Sequence, residues 1–507
     1  MHANDLGMKR AACANRGPVT LCREHLMIEA MMTTGKSDRG TRAGAITCAR
    51  TYVTDGTFET ELARRVAYRT ESQALPGSLP HLTAYLTDEI GPAFEALGFT
   101  YKLYTNPVSG QGPVLLATRI EDPAYKTMLG YGHGDVIRGQ DALWTKGAGP
   151  WVTQRDGDRL YGRGTADNKG QHTINMAALR CVLDERGGRL GFNVKMIIEM
   201  AEETGSAGLH DVIRANKSDF AADVFIASDG PRAQADRPTI VLGNRGGALF
   251  DLVCDLRQGG HHSGNWGGLL ADPGLILAHA LATITGPTGE IRIPEWRPPA
   301  IAPNIKAALA DVTIDGGDGG PAVDPWWGEP GLTGPEKVYA WNSFAVLAMK
   351  SGIPEAPVNA IAPVARARCQ LRFVVGTDED TILPSLRRHL DAHGFERVTI
   401  EQPAESGRFH ATRTDPDDPW ALWVRKSFEA TIGKSNAAKP AIIPSTGGGV
   451  PNDAFQHILG LPTIWIPHSY AGCSQHAPDE HVLMSVSQSA AELMAGVYWD
   501  LGSGKTP

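Results

Sequence analysis

The sequence contains little cysteine, no long apolar run and no basic block, and each absence excludes a class of protein. Its seven cysteines among 507 residues are odd in number and scattered, and no Cys-x-x-Cys occurs. That usage excludes a disulfide scaffold or a zinc-finger array, and it predicts reduced cysteines in a cytoplasmic protein. No run approaches about 18 uninterrupted apolar residues, so we expect no membrane contact through a spanning helix.

The charge balance excludes nucleic acid as a partner. Asp and Glu number 56 against 48 Lys and Arg, for a net charge of −8. A mildly acidic chain without a basic patch binds nucleic acid and anionic membranes poorly. Apolar residues make up 42% of the chain, which is typical of a globular protein and too much for a disordered one. The length predicts two or three domains, at about 150 residues each.

Strand and helix patterns predict an α/β fold in the first half of the chain. Short apolar runs at residues 114–120, 125–131, 192–200 and 223–228 are typical of buried strands, and residues 171–185 have helical apolar spacing. A strand–helix alternation of this kind predicts a mostly parallel central sheet covered by helices.

A second, smaller α+β domain is predicted after Pro238, where the pattern changes. Strand-rich sequence, a helix near 273–284 and a Pro/Gly/Trp-rich stretch precede a return to helix and strand after Pro403. We therefore predict a disordered leader at 1–47, an α/β domain at 48–238 and 403–507, and an inserted domain at 239–402. The Pro/Trp-rich stretch 294–327 has no assigned role.

Acidic and imidazole side chains follow the predicted strands, at the end where open α/β sheets bind ligands. His133 and Asp135 follow the second strand, Glu202 and Glu203 the third, and Asp229 the fourth. The remaining candidates are Asp167 in a glycine-rich turn and His468, His476, Glu480 and His481 in a loop after residues 461–467.

Clustered acids of this kind need a cation, because like charges repel strongly where water is scarce. Mixed His and carboxylate ligation suits zinc, with manganese or cobalt as alternatives. So many protein ligands suit two divalent ions that share a bridging carboxylate. The glycine-rich turn has neither the Walker nor the dinucleotide spacing.

Five sequence blocks resemble the dinuclear zinc metallopeptidases, which include glutamate carboxypeptidase, carnosinase-type dipeptidases, aminoacylase and succinyl-diaminopimelate desuccinylase. The blocks are HGD at 133–135, GRGTADNKG at 162–170, EETGS at 202–206, SDG at 228–230 and QHAPDE at 475–480. They occur in family order, and the resemblance runs from about Thr51 to the C-terminus. It implies a zinc-exopeptidase-like α/β catalytic domain with an inserted α+β lid that carries the contacts of a homodimer.

The resemblance also implies the roles of the metal ligands. His133 and Asp229 would bind one ion, Glu203 and His476 would bind the other, and Asp167 would bridge both. The peptide bond after Asp167 is expected to be cis, a strained feature tolerated at functional sites.

Two further carboxylates take catalytic roles by the same resemblance. Asp135 would orient His133 through its other ring nitrogen. Glu202 would be the general base, taking a proton from the water between the ions and passing it to the leaving amine.

Residues of the lid and of a glycine loop complete the implied site. His262, in a His-Ser-Gly loop, would reach the partner subunit's site and stabilise the oxyanion, with His261 as the alternative. Asn359 and Arg372 match positions that hold the substrate, and a guanidinium suits a free carboxylate. Gly447 and Gly448 match a glycine loop near the substrate, although this sequence departs from many relatives at the two positions that follow.

The function that follows is metal-dependent hydrolysis of an amide bond. The expected substrate is a dipeptide or an N-acyl amino acid with a free carboxylate, and the His-Ser-Gly loop favours a dipeptidase or carboxypeptidase over an aminoacylase. One alternative is amidase- or deaminase-type cleavage of a non-peptide C–N bond. Another is a catalytically silent, metal-stabilised binding or scaffolding protein, against which the presence of Glu202 argues.

Overall fold

The computed structural model describes residues 40–74, 77–314, 321–403, 409–433 and 439–507. Two sheets organise this part of the chain, one of eight strands and one of four. Their strands are β1 (Thr100–Tyr104), β2 (Val114–Arg119), β3 (Thr127–His133), β4 (Asn193–Glu199), β5 (Val224–Ala227), β6 (Thr239–Val241), β7 (Gly246–Asp255), β8 (Ser343–Ser351), β9 (Val364–Phe373), β10 (Val398–Glu401), β11 (Ala441–Ile443) and β12 (Thr463–Trp465).

The eight-stranded sheet has the order β1-β2-β4-β3-β5-β12-β6-β11. Strands β4, β3, β5 and β12 run parallel to one another, and so do β6 and β11. The β3 and β5 residues are buried almost without interruption because helices cover both faces of the sheet. The predicted α/β class with a mostly parallel central sheet is confirmed. Strands β4, β3, β5 and β12 end at one common edge, whereas β6 pairs antiparallel with β12.

Helices cover the large sheet and one face of the small one. Helix α5 is 17 residues long and begins directly after the glycine-rich turn. The helices are α1 (Arg42–Thr54), α2 (Thr57–Val66), α3 (Leu79–Ala84), α4 (Gly91–Glu95), α5 (Lys169–Glu185), α6 (Leu209–Ala215), α7 (Lys217–Phe220), α8 (Ser263–Trp266), α9 (Pro273–Ile284), α10 (Pro303–Leu309), α11 (Gly334–Tyr339), α12 (Ile382–Ala392), α13 (Pro419–Ile432) and α14 (Met484–Leu501).

The predicted leader is wrong at its last residues, and its first 39 lie outside the described part of the chain. Helix α1 begins at Arg42 and packs between α5 and α14. Its Ala45, Ala49 and Val53 are buried, and Arg42 pairs with Asp500 at 2.9 Å. The small side chains of Ala45 and Ala49 let α1 approach its neighbours closely.

The inserted unit, residues 245–403, carries the four-stranded antiparallel sheet in the order β8-β9-β7-β10. Helices α9 and α12 pack on the sheet, and their apolar side chains share one core with it. The predicted start of this unit, residue 239, is wrong because β6 belongs to the large sheet. A buried strand of only three residues has too little sequence pattern to predict which sheet it joins.

One pair of cysteines contradicts the prediction of reduced thiols. Cys48 of α1 and Cys181 of α5 form a disulfide, although 133 residues separate them in sequence. The packing of α1 against α5 brings the two cysteines together, and their spacing in the sequence does not predict this pairing. Cys254, Cys369 and Cys473 are free and buried. None of the helices in the described ranges is long and apolar enough to cross a bilayer.

Candidate metal centre

The candidate residues meet at the carboxyl edge of the large sheet. His133 is the last residue of β3, and Asp229 follows β5 by two residues. Glu202 and Glu203 occupy a single turn just after β4. Because β3, β4 and β5 are parallel neighbours, their ends deliver these side chains to one place.

The first donor group consists of His133, Asp167 and Asp229, all buried, with ligand atoms within 4.8 Å of one another. The Nε2 atom of His133 lies 2.9 Å from Oδ1 of Asp167 and 3.7 Å from Oδ2 of Asp229. The peptide bond between Asp167 and Asn168 is cis, as the resemblance implied.

The second donor group consists of Asp167, Glu203 and His476. The Nε2 atom of His476 lies 3.0 Å from Oδ2 of Asp167 and 2.9 Å from Oε2 of Glu203. Gln475 donates to the same Oδ2 of Asp167 at 2.6 Å. Asp167 therefore offers one carboxylate oxygen to each group.

Asp135 acts mainly on the loop beside it. Its carboxylate accepts the backbone N–H of Glu202 at 3.2 Å and of Glu203 at 3.1 Å. The Nδ1 atom of His133 lies closer to the backbone oxygen of Asp135, at 3.0 Å, than to its carboxylate, at 3.5 Å. Asp135 thus orients His133 chiefly through its backbone and fixes the glutamates through its side chain.

Glu480 supports the glycine-rich turn, a role that sequence reasoning did not assign. Its Oε1 accepts the N–H groups of Ala166 and Asp167 at 2.9 and 3.0 Å. Its Oε2 accepts Arg163 Nη1 at 2.8 Å and Gly164 N at 3.0 Å. Four donors converge on one buried carboxylate that lies over 300 residues away in sequence. The only sequence signal was its place in the QHAPDE block.

Burial dominates the acid–base properties of the carboxylates. It raises the pKa of Glu202 well above its usual range; His133 opposes this rise, while Asp229, Asp167 and Glu203 add to it. Burial also raises the pKa of Glu203 to about 7, with Asp167 adding, and that of Asp229 to about 6. So many buried acids are compatible with their charged forms only if positive charge lies between them.

The neighbouring carboxylates favour the protonated forms of the two imidazoles. Hydrogen bonds to Asp167 and Glu203 raise the pKa of His476 to about 10. Burial alone would lower the pKa of His133, but hydrogen bonds to Asp135 and Asp167 raise it well above the usual value. Burial would raise the pKa of Asp167, and its two histidine partners lower it instead.

The donor chemistry fits two divalent cations. Each group contains one imidazole nitrogen and carboxylate oxygens, the donors that zinc, manganese and cobalt accept in proteins. Glu202 belongs to neither group, although its Oε2 lies 4.0 Å from Nε2 of His133. Its carboxylate therefore lies beside the two donor groups without belonging to either.

A cavity of about 860 Å³ opens at this centre. Its polar wall contains Asp167, Glu202, Asp229 and His476, and the glycine loop at Gly447 and Gly448 also lines it. Gly447 makes a further contact that the sequence did not reveal. Its carbonyl oxygen accepts Nη2 of the buried Arg245 at 3.3 Å.

The three site residues predicted on the inserted unit lie outside this cavity. His262 and Asn359 are exposed on the inserted unit and adjacent, since Ser263 N donates to the Asn359 oxygen at 2.9 Å. Arg372 lies half-buried on β9, where its Nε donates to Gln370. None of the three is among the described residues that line the cavity.

Comparison with known proteins identifies the family that this chain resembles. The sequence model of Peptidase family M20/M25/M40 matches residues 129–500. The cysteinylglycine-S-conjugate dipeptidase of Corynebacterium striatum is 28% identical over 337 residues, 64% of this chain and 70% of that protein. The beta-Ala-His dipeptidase of Homo sapiens is 34% identical over 189 residues, 36% of each chain. That alignment spans little more than a third of the human protein.

Solved structures share the whole fold. Human carnosine dipeptidase 1 superposes with a TM-score of 0.69 and 21% identity, covering 90% of this chain and all of that one. The metallo-carboxypeptidase Sso-CP2 of Sulfolobus solfataricus gives a TM-score of 0.72 and 22% identity, covering 88% and 99%. At such identities the likeness establishes the fold, including the inserted unit.

Proposed function

The chain belongs to Peptidase family M20/M25/M40, and we propose that it is a metal-dependent hydrolase that cleaves the amide bond of a dipeptide or an N-acyl amino acid with a free carboxylate. One observation carries this proposal. Two donor groups share Asp167, while Glu202 lies beside them in the same cavity and outside both groups. The metallodipeptidase names of relatives support a dipeptide as substrate.

Two divalent cations are part of this proposal. We assign one ion to His133, Asp229 and Asp167, and the second to Glu203, His476 and Asp167. Zinc is the expected metal, with manganese or cobalt as alternatives. When bound, the ions supply positive charge that polarises the scissile carbonyl and acidifies the attacking water.

Glu202 is the proposed general base. Its carboxylate takes a proton from the attacking water and delivers it to the nitrogen of the leaving amine. Because Glu202 belongs to neither donor group, its carboxylate stays available to carry that proton between the two steps. Asp135 keeps the Glu202 turn in position through the two N–H groups that its carboxylate accepts.

A homodimer completes the proposed site. Strand β8 is an edge of the small sheet, and its Val346, Leu347 and Met349 are exposed. An unpaired edge strand with apolar side chains favours pairing with a second chain. His262, which lies outside its own cavity, would then act as an oxyanion donor in the partner's site.

Substrate binding is proposed for four residues. Gly447 and Gly448 line the cavity and let backbone approach the substrate closely. Arg372 would bind the free carboxylate when the lid approaches, and Asn359, which precedes β9 at its other end, would contact the substrate separately. Arg372 lies near the buried Arg245, so two guanidinium groups would share the anion.

We propose that the protein is cytoplasmic. We propose neither nucleic acid nor membranes as partners. The Cys48–Cys181 disulfide is the observation that argues against a reducing compartment. Thiol labelling of protein taken directly from cytosol under denaturing conditions decides between them. Reduced Cys48 and Cys181 would support the proposal, and a protected pair would contradict it.

The deciding experiment is a hydrolysis screen with metal quantified for each chain. Dipeptides, N-acyl amino acids and non-peptide amides are offered to zinc-, manganese- and cobalt-loaded protein, with the chelated protein as the control. We expect hydrolysis of dipeptides or N-acyl amino acids that chelation abolishes and metal restores. Cleavage of non-peptide amides alone would favour the amidase alternative, and metal binding without turnover would favour the scaffold.

A further inference from the structure

Part of the inserted unit packs on the large sheet instead of on its own. Helix α10 lies beside β11, the edge strand of the large sheet. Ile305, Leu309 and Val312 are buried in the hydrophobic cluster of that sheet, together with Ala340 after α11. This segment includes part of the Pro/Trp-rich stretch, whose role the sequence did not reveal.

Polar contacts fix the segment to the loop that follows Asp229. Arg237 Nη1 donates to the backbone oxygen of Asp311 at 2.7 Å, and Nη2 pairs with its carboxylate at 3.0 Å. Gln234 donates to the Thr313 hydroxyl at 2.7 Å. The segment therefore holds a defined position relative to the metal centre.

Through this packing the segment contributes to the cavity wall. Val338 and Tyr339, at the end of α11, line the same cavity as Glu202 and Asp229. Within the described residues the hydroxyl of Tyr339 has no hydrogen-bond partner. The half-buried ring therefore presents an aromatic surface with a free polar tip.

The sheet adds further apolar residues to this wall, beside the polar loop residues Arg232, Gln234 and Asp236. Val241, Ile443 and Trp465 are the last residues of β6, β11 and β12, and all three line the cavity. The ends of β3, β4 and β5 carry the acids and the imidazole. Val241 pairs with Trp465 and with Ile443, so the sheet residues at the cavity form a reactive half and an adjacent apolar half.

The size of the cavity indicates that the apolar half receives part of the ligand. Ligand pockets typically measure about 300–1,000 Å³, and this one, at about 860 Å³, lies near the upper end. Apolar walls favour burial against another apolar surface over contact with water. A substrate with only small side chains would leave the apolar half of the cavity filled with water, without burial of its apolar surface.

We infer that Val338 and Tyr339, with Val241, Ile443 and Trp465, form a subsite for a bulky apolar group, preferably aromatic, carried by the substrate next to the scissile amide. The inference rests on the proposed function and narrows its substrate class. Tyr339 and Val338 are specificity-determining residues, because the inserted segment adds their side chains to a cavity wall that the sheet alone would form.

Two dipeptide series test the subsite, each varying one side of the amide through glycine, leucine and phenylalanine. In one series we expect kcat/KM to rise at least about tenfold from glycine to phenylalanine. Tyr339→Ala should reduce that ratio by about tenfold, and Val338→Trp, which fills the subsite, should do the same. Trp326→Ala is the matched control, because this aromatic residue of the same segment is 62% exposed and does not line the cavity.

Calorimetry separates failure of the subsite from failure of the proposed function. The phenylalanine and glycine compounds are titrated into metal-loaded Glu202→Ala protein, with and without Tyr339→Ala. Tighter binding of the phenylalanine compound that Tyr339→Ala removes supports the subsite even if no compound is hydrolysed. Equal affinity for both compounds, or a preference that both subsite variants leave intact, overturns it.

Discussion

Replacing Glu480 by glutamine tests how the turn that carries Asp167 is held. The amide would direct N–H groups at two of the four donors that now converge on the carboxylate, and Arg163, 1% exposed in its side chain, would lose its counter-charge. Breaking a buried ion pair costs about 3–5 kcal/mol, and each hydrogen bond to a charged group is worth about 1.5–3 kcal/mol. Because these contributions overlap, we expect a cost of about 4 kcal/mol.

That cost should appear in metal binding as well as in stability. If the turn must be ordered before Asp167 can bridge, about 4 kcal/mol corresponds to a loss of affinity of up to about a thousandfold. Competition with a chromophoric chelator measures the affinity, and thermal unfolding of the chelated protein measures the stability.

The matched control for this prediction is Glu492→Gln, which removes a surface partner of the exposed Arg50. A pair of that kind is worth about 0–1 kcal/mol, so the control should unfold and bind metal almost as the unmodified protein does. Glu480→Gln protein with normal metal affinity and an unchanged unfolding temperature would refute the role assigned to Glu480.

The other predictions concern catalysis and assembly. Glu202→Ala should lower kcat by about 10²–10⁴-fold with both ions retained, and metal loss in that variant would make Glu202 a ligand. Asp135→Ala should lower activity or metal affinity by about 10–100-fold, and unchanged values of both would remove its positioning role. Leu347→Asp on the exposed edge should give monomers in sedimentation, and a persisting dimer would place the interface elsewhere. His262→Ala should slow hydrolysis without dissociating the dimer or releasing metal, and an unaffected rate would exclude the partner-site role.

The sequence predicted the large sheet well because its parallel strands have strong local signals. Observed β3, β4 and β5 lie within two residues of the predicted runs at each end. Helix α9 was predicted with its observed bounds of Pro273 and Ile284. Continuous apolar runs between turn residues are typical of strands buried on both faces, so local patterns suffice there.

Elements with weak or mixed patterns were missed. Strand β8 exposes almost all of its residues, so it shows no alternation of buried and exposed side chains. Strand β11 has three residues and joins the sheet only through long-range pairing with β6. Helix α1 is rich in small residues, and its fit against α5 and α14 becomes visible only in three dimensions.

The candidate site also has a part that the sequence predicted and a part that it did not. Placement at strand ends brought His133, Asp229 and the glutamates into one prediction, and their geometry agrees with it. The role of Glu480 and the Cys48–Cys181 disulfide were missed because each depends on contacts between residues more than 100 positions apart. The spacing of residues along the sequence does not predict such contacts.

Anomalous diffraction from metal-loaded crystals tests the two-ion centre most directly, because it locates the ions without reference to activity. We expect two peaks for each chain, one on either side of Asp167, with Glu203 and His476 at one peak and His133 and Asp229 at the other. Glu202 should contact neither ion. A single ion, or ions bound without Asp167, would contradict the account.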